Sequence, residues 1–274
     1  MIHIPDHANK SELFKYLREN KGLIRKQKFA AMKEADAVNF VSVDFNTDKG
    51  TATKAENLKP SILDADRYTG TVVINACNYL DSHLDVHING IWKKTAKETK
   101  SGLFLQEHKM QLSNVVSDEV SVYVATMTWA ELGYSYEGTT EVLINKFVAE
   151  KKRNPIMAEQ YANGWVKQHS VGMQYVNYFL CMNSENKLDA EEKAAWDKYY
   201  PMVVNKEMAD EYGFFFAVTE AKYIEGSAVV KGSNPATPTI MVEPLDDDTQ
   251  QEEQTEEPTK SLDWSQIANA LKQN

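Results

Sequence analysis

The residues able to do chemistry fall into four groups along the 274-residue chain. Six histidines occur: His3, His7, His83, His87, His108 and His169. Asp81, His83, Asp85 and His87 form the densest cluster. If DSHLDVH is a strand, a side-chain period of two puts all four on one face as a metal half-site. Same-face neighbours lie ~6–7 Å apart, however, and each zinc ligand must come within ~2.1 Å of the ion, so a flat strand rarely supplies more than two ligands. The plainer reading is a polar strand edge entering a turn at Asn89-Gly90. In LFLQEHK, Gln106, His108 and Met110 share a face at the end of a β-rich run, where His108 could line a cleft. Ser170 opens an apolar strand in HSVGMQYV, with Gly172 two residues on. A serine hydroxyl attacks a carbonyl only when a base takes its proton, and a nearby glycine lets a substrate backbone approach beside amides that stabilise an oxyanion. Residue 168 is Gln, so this is not the Gly-x-Ser-x-Gly elbow of an α/β-hydrolase. Glu220 and Glu225 are separated by an odd number of residues, so a regular strand turns them to opposite faces and one at most serves any given site.

The elements that must position these groups are mainly strands. Residues 1–37 read as a helical segment: Ser11 can cap, and Leu13, Phe14, Leu17, Leu23, Ile24, Phe29 and Met32 recur at helical spacing. Lys21, Arg25, Lys26 and Lys28 crowd the opposite face, read as a solvated surface. From Val38 the pattern changes to alternation in VNFVSVDF. A β-rich region then runs through GTVVINACNYLDSHLDVHINGIW, SGLFLQEHK, EVSVYVATMTW and EVLINKFVAE. Arg153–Trp165 reads as a helix with Pro155 in its first turn. HSVGMQYVNYFL is a strand, Asp189–Tyr212 a charged amphipathic helix, and FFFAVTEAKYIEGSAVV a long strand closed by the turn-rich KGSNPATP. Strands do not alternate regularly with helices. The pattern predicts an α+β fold with a mainly antiparallel, barrel-like core and flanking helices, the main domain spanning 38–242.

Composition narrows the function classes. Thirty basic against forty acidic side chains give −10, which argues against nucleic-acid binding. Glu243 to Glu257 holds eight carboxylates and no Lys or Arg, leaving −2 for the rest of the chain. Residues 243–260 therefore read as a self-repelling disordered linker. Residues 261–274 follow as a short amphipathic helix carrying Leu262, Trp264, Ile267 and Leu271, which reads equally as a docking element for a partner and as a frayed tail without a role. Two cysteines, Cys77 and Cys181, make no disulfide framework. No run reaches the ~18 apolar residues of a membrane span, and the start lacks a secretory layout. A soluble protein of a reducing, cytoplasmic compartment is expected, with no membrane partner.

In order, these pieces resemble the prohead (procapsid maturation) serine proteases of tailed bacteriophages, whose fold is like that of the herpesvirus assemblins. The resemblance covers roughly residues 71–240. It is carried by DSHLDVHINGIW (Asp81, Asp85, Gly90, Trp92), then GLFLQEHK with His108, then HSVGMQYV, and last IEGSAVVKGSNPA. The chain departs from the pattern at Met173, where an aromatic is usual, at Lys109 after the histidine, and in the long insert 182–212. The resemblance implies peptide hydrolysis through an acyl-enzyme, with Ser170 as nucleophile, His108 as base, and Glu225 orienting the imidazole, Glu220 being the fallback. It implies oxyanion stabilisation near Val171 and Gly172, and no metal or other cofactor. The implied substrates are scaffolding protein, capsid-protein extensions and the protease itself, cut inside the procapsid in the host cytoplasm. Dimerisation or multi-copy assembly is compatible, and the acidic tail would anchor the enzyme to capsid or scaffold. Two other classes stay open: a non-catalytic assembly protein on the same sheet, and a metal-dependent hydrolase using His83 and His87.

Overall fold

The computed structural model describes Ile4, residues 9–30 and residues 60–245. The expected strand at 38–45, the acidic stretch from Asp246 and the terminal amphipathic helix lie outside the described residues, as do residues 31–37 and Met32 of the N-terminal segment.

Two helices open the described chain, α1 (Lys10–Glu19) and α2 (Lys21–Ala30). The cap of α1 is Asn9, whose side-chain oxygen accepts from the Glu12 amide, and not Ser11, which lies inside the first turn. Nine strands follow with four further helices: β1 (Arg67–Ala76), β2 (Asp85–His87), α3 (Lys93–Glu98), β3 (Phe104–Gln106), β4 (Val115–Ser117), β5 (Glu119–Thr128), β6 (Thr139–Glu150), α4 (Pro155–Ala162), β7 (Gln168–Met182), α5 (Ala190–Tyr199), α6 (Glu207–Tyr212), β8 (Phe214–Val229) and β9 (Thr239–Leu245). The single helix expected over 189–212 is two. Pro201 supplies no amide to continue the first, and Gly213, at φ 72, closes the second.

The strands build two sheets. One is antiparallel throughout, in the order β5-β6-β1-β9. The other is centred on β8. Strand β7 runs antiparallel along one side of β8, while β2 and β3 pair in parallel with its beginning and end, and β4 joins β3. Antiparallel pairing dominates, as expected, but among the described residues the barrel-like closure does not occur: β5 and β9 are the edges of their own sheet there. Strand β9 also overruns the expected boundary at 242, because Glu243, Pro244 and Leu245 pair with Thr69, Tyr68 and Arg67. Proline is tolerated there because an edge strand has one side with no ladder to serve.

The main core lies between the sheets. Val72, Ile74, Leu143 and Phe147 from one meet Phe104, Val171, Met173, Tyr175 and Ala228 from the other, with Met157 and Tyr161 of α4 closing one end. Gly70 sits opposite Phe147, and a Cβ on it would lie 2.3 Å from the ring's Cζ. The continuous apolar start of β8 is explained by cover on both faces. Phe214 and Phe216 pack with Leu13, Phe14, Leu17 and Ile24 of the N-terminal helices, and Phe215 and Ala217 with Trp196 and Tyr199 of α5.

The basic face of the N-terminal helices is not simply solvated. Arg18 pairs with Asp189 at 2.7 Å, and Lys21 with Glu192. Lys28 is buried against Asp85, with its ammonium 3.8 Å from the Phe216 ring centroid. Replacing Gly70 by Ala should lower stability by about 1–3 kcal/mol, since Phe147 must leave its place on the glycine. Urea unfolding measures this, and an unchanged midpoint would mean that the ring contact is not a constraint.

Candidate functional site

The two faces of the β7–β8 ladder have different tasks. Directly opposed residues of an antiparallel pair point the same way. Val171 opposes Gly226, and a Cβ at Gly226 would meet Asn145 and Ile74 of the other sheet, so this face is turned to the core. Ser170 opposes Ser227 and Gly172 opposes Glu225, which puts these four on the outer face. His169, one residue before the serine, points inward and is fully buried.

His108 reaches that outer face through the loop after β3. The β3–β8 pairing ends at Gln106 opposite Ala228, and the next two residues, Glu107 and His108, both adopt left-handed backbone, φ 54 and 55. Neither is glycine, and such conformations cost of order 1–3 kcal/mol each unless the surroundings hold them. Two bonds do: the Glu107 amide donates to the Ala228 carbonyl at 2.9 Å, and the His108 amide to Ser227 Oγ at 3.1 Å. The turn carries the imidazole over β8, where His108 Nδ1 and Glu225 Oε1 are 2.5 Å apart. Both side chains are 3% exposed. The other oxygen, Glu225 Oε2, accepts from the Ser227 hydroxyl at 2.6 Å. Gly172 makes the space for this carboxylate, since a Cβ there would stand 2.1 Å from Oε1. Its absent side chain thus serves Glu225, whereas the sequence reading gave it to substrate approach.

The structure therefore brings His108 and Glu225 together and sets Ser170 on the same face, across the ladder from Ser227. With Glu225 as acceptor at Nδ1, the lone pair of the imidazole falls on Nε2. That atom is buried and has no hydrogen-bond partner among the described residues, Ser170 included. Catalytic hydrogen bonds are often long or unmade before substrate binds. Glu220 stands apart: it is more than a third exposed and pairs with Lys94 of α3 at 3.6 Å. A small cavity of about 10 Å³, room for one water, borders Ser170 with His83, His87 and Asn234. It is too small to take a side chain.

The DSHLDVH cluster has other work. Only Asp85–His87 is strand; Asp81–Leu84 turns, with Leu84 at φ 58, so the four side chains do not line one face. Asp81 Oδ1 accepts from the amides of His83 and Asp85. Trp92 Nε1 donates to Asn75 Oδ1 at 2.9 Å, which leaves the Asn75 amide to donate to His87 Nδ1 at 2.7 Å. His87 Nε2 then faces the Tyr175 hydroxyl at 3.3 Å, and that hydroxyl donates to Asp85 Oδ2 at 2.6 Å. The chain of donors ends on a carboxylate that also holds Lys28. Among the described residues no three His, Cys, Asp or Glu side chains are grouped to hold a metal. Cys77 and Cys181 are buried, and burial pushes both thiols up, away from the thiolate form a nucleophile needs.

The start of β7 is pinned from behind. His169 Nδ1 must donate to the Thr237 carbonyl, 2.9 Å away, so Nε2 accepts from the Tyr161 hydroxyl at 3.1 Å. Thr237 Oγ1 donates to the His169 carbonyl at 2.7 Å, and Asn234 ties the same turn to the Ala76 carbonyl. Sequence reasoning missed Thr237, Asn234 and Ser227 as positioning groups. For Ser227 the signal was there, because a period of two places it beside Glu225.

Burial lowers the His169 pKa from the ordinary 6.5 to about 4, the Thr237 hydrogen bond opposing only part of that shift. The unfolded chain takes up this proton near pH 6.5 and the folded chain only near 4, so stability falls as pH drops through that window, by about 3 kcal/mol at most. Histidine NMR should show the His169 imidazole still neutral at about pH 5; a ring assigned to His169 that titrates near 6.5 would contradict this. Gly172→Ala should displace Glu225 and shift the His108 ring-nitrogen resonances while the protein stays folded. Unshifted resonances would mean that the carboxylate does not depend on the glycine. Comparison of the chain with protein-family models, with curated proteins and with solved structures finds no match.

Proposed function

We propose that the chain is a serine endopeptidase of the prohead-maturation type, assemblin-like in fold, that cuts scaffolding protein, capsid-protein extensions and itself inside the procapsid. The observation that supports it best is the buried His108–Glu225 pair set on the face that carries Ser170. In this reading His108 Nε2 takes the Ser170 proton as Oγ attacks the scissile carbonyl. Nδ1–H stays on Glu225, which stabilises the imidazolium without accepting its proton. The C–N bond then breaks as Nε2–H passes its proton to the leaving amine; water, deprotonated by the same nitrogen, attacks the acyl carbon, and the C–O bond to Ser170 breaks as that proton returns to Oγ. The chemistry of this reading uses no metal.

A second reading, an assembly module without activity, draws on the Nε2 atom that makes no bond to Ser170. Co-expression with the capsid and scaffolding proteins separates the two. Mass spectrometry of the wild type should find defined new termini, and Ser170→Ala or His108→Ala should reduce them about a thousandfold or more, with Glu225→Gln losing about 10²–10⁴-fold. Identical fragments from wild type and Ser170→Ala, or no cleavage by either, would remove the peptidase reading.

A further inference from the structure

Ser227 lies directly across the β7–β8 ladder from Ser170, is fully buried, and its hydroxyl is committed twice. The hydrogen goes to Glu225 Oε2 at 2.6 Å, and the oxygen accepts the His108 amide at 3.1 Å. One atom thus touches the backbone of the proposed base and the carboxylate that holds its ring. Glu225 has three rotatable bonds, and a single contact at Oε1 would leave its carboxylate free to turn about that point. A second contact at Oε2 fixes both oxygens, each with its own partner. The same oxygen also satisfies an amide that the left-handed bend at His108 would otherwise leave buried and unpaired. Without it the bend loses one of the two bonds that hold it, and the imidazole can tilt away from the line between Glu225 and Ser170.

We infer that Ser227 is a positioning residue of the proposed peptidase site: through its one hydroxyl it fixes the left-handed bend at His108 and the rotation of the Glu225 carboxylate, and so sets where His108 Nε2 stands relative to Ser170. This rests on the peptidase reading for its consequence in rate, but not for its consequence in geometry. The role belongs to the hydroxyl and not to the size of the side chain. Thr at 227 therefore keeps the function and Val, the same shape without the hydroxyl, loses it.

The test uses the full chain as wild type and as Ser227→Ala, Ser227→Thr and Ser227→Val, the last two forming a shape-matched pair should Ala fail to fold. Labelling of Ser170 by a fluorophosphonate, followed by intact mass, gives the inactivation rate constant and the probe's apparent affinity separately. The His108 ring-nitrogen and Nδ1–H resonances, assigned by their loss in His108→Gln, report the geometry without requiring activity. The expected result is a rate constant lower by about 10–100-fold in Ala and Val, with probe affinity unchanged and wild-type behaviour restored within about threefold by Thr. The His108 resonances should shift in Ala and Val and hold in Thr. Labelling of Val at the Thr rate, or equal losses in Thr and Val, overturns the inference while leaving the peptidase reading in place. If the wild type is not labelled at all, the peptidase reading fails, and the resonances alone decide: unshifted in Val overturns the geometric role, shifted supports it.

Discussion

The register of β7 against β8 is the constraint on which the rest of the molecule depends. Fourteen residues of β7 have assigned partners in β8, from Gln168 opposite Val229 to Met182 opposite Phe214. Side chains alternate with a period of two, so a one-residue slip of β7 against a fixed β8 would turn Ser170 and Gly172 into the core, away from Glu225 and Ser227, and bring His169, Val171 and Met173 out. The inward set is large and apolar, or in the case of His169 bonded on both ring nitrogens, and it cannot be solvated without losing the core between the sheets. Burial of one face thus fixes the chemistry-bearing groups on the other. Bulges are tolerated only where they preserve this division. The ladder skips Ile224 between the Gly172–Glu225 and Met173–Tyr223 pairs, and Tyr223 and Met173 still face inward.

Electrostatics acts differently at the two ends of β8. At its start, the N-terminal helices bring Arg18, Lys21 and Lys28 to Asp189, Glu192 and Asp85. A buried ion pair has to offset a desolvation cost of several kcal/mol per ion, and Asp85 does so with a second donor, the Tyr175 hydroxyl. At the far end the charge is a single carboxylate, with one oxygen on a ring nitrogen and the other on a hydroxyl. Neither arrangement leaves a bare ion in an apolar place. The first ties a separate segment to the sheet; the second holds an imidazole whose remaining nitrogen is left available.

Much of the scaffold was legible in the sequence. Among the described residues, the β-branched runs of β1, β5 and β6, the Pro155 helix start and the turn-rich KGSNPATP fell where local rules put them, because each is decided by residues within a few positions of one another. What local rules could not reach depended on distant partners. The basic face of α2 looked solvated because Asp85 and Glu192 are far along the chain from Lys28 and Lys21. DSHLDVH looked like a strand because alternation was visible and the left-handed Leu84 was not. A non-glycine residue at positive φ leaves no mark in composition, and the same holds for Glu107 and His108, whose bend is sustained by Ala228 and Ser227 more than a hundred residues later. The order His108, Ser170, Glu225 was singled out only through a resemblance. That Glu225 meets His108 on the face that carries Ser170 follows from pairing that no single segment encodes.

The choice between the two glutamates shows how the levels combine. Parity alone required that Glu220 and Glu225 face opposite ways, but the skipped Ile224 breaks the regular alternation on which that rule rests. What distinguishes them is the neighbour each meets. Glu225 lies opposite a glycine, the one residue whose missing Cβ leaves its carboxylate room to stay beside the ladder and under the His108 loop. Glu220 lies opposite Asn177 and leans to Lys94 in partial solvent. A carboxylate orients an imidazole only where water does not compete for both. Only Glu225 has that shelter, and the shelter is made by an absence at position 172 as much as by any group that is present.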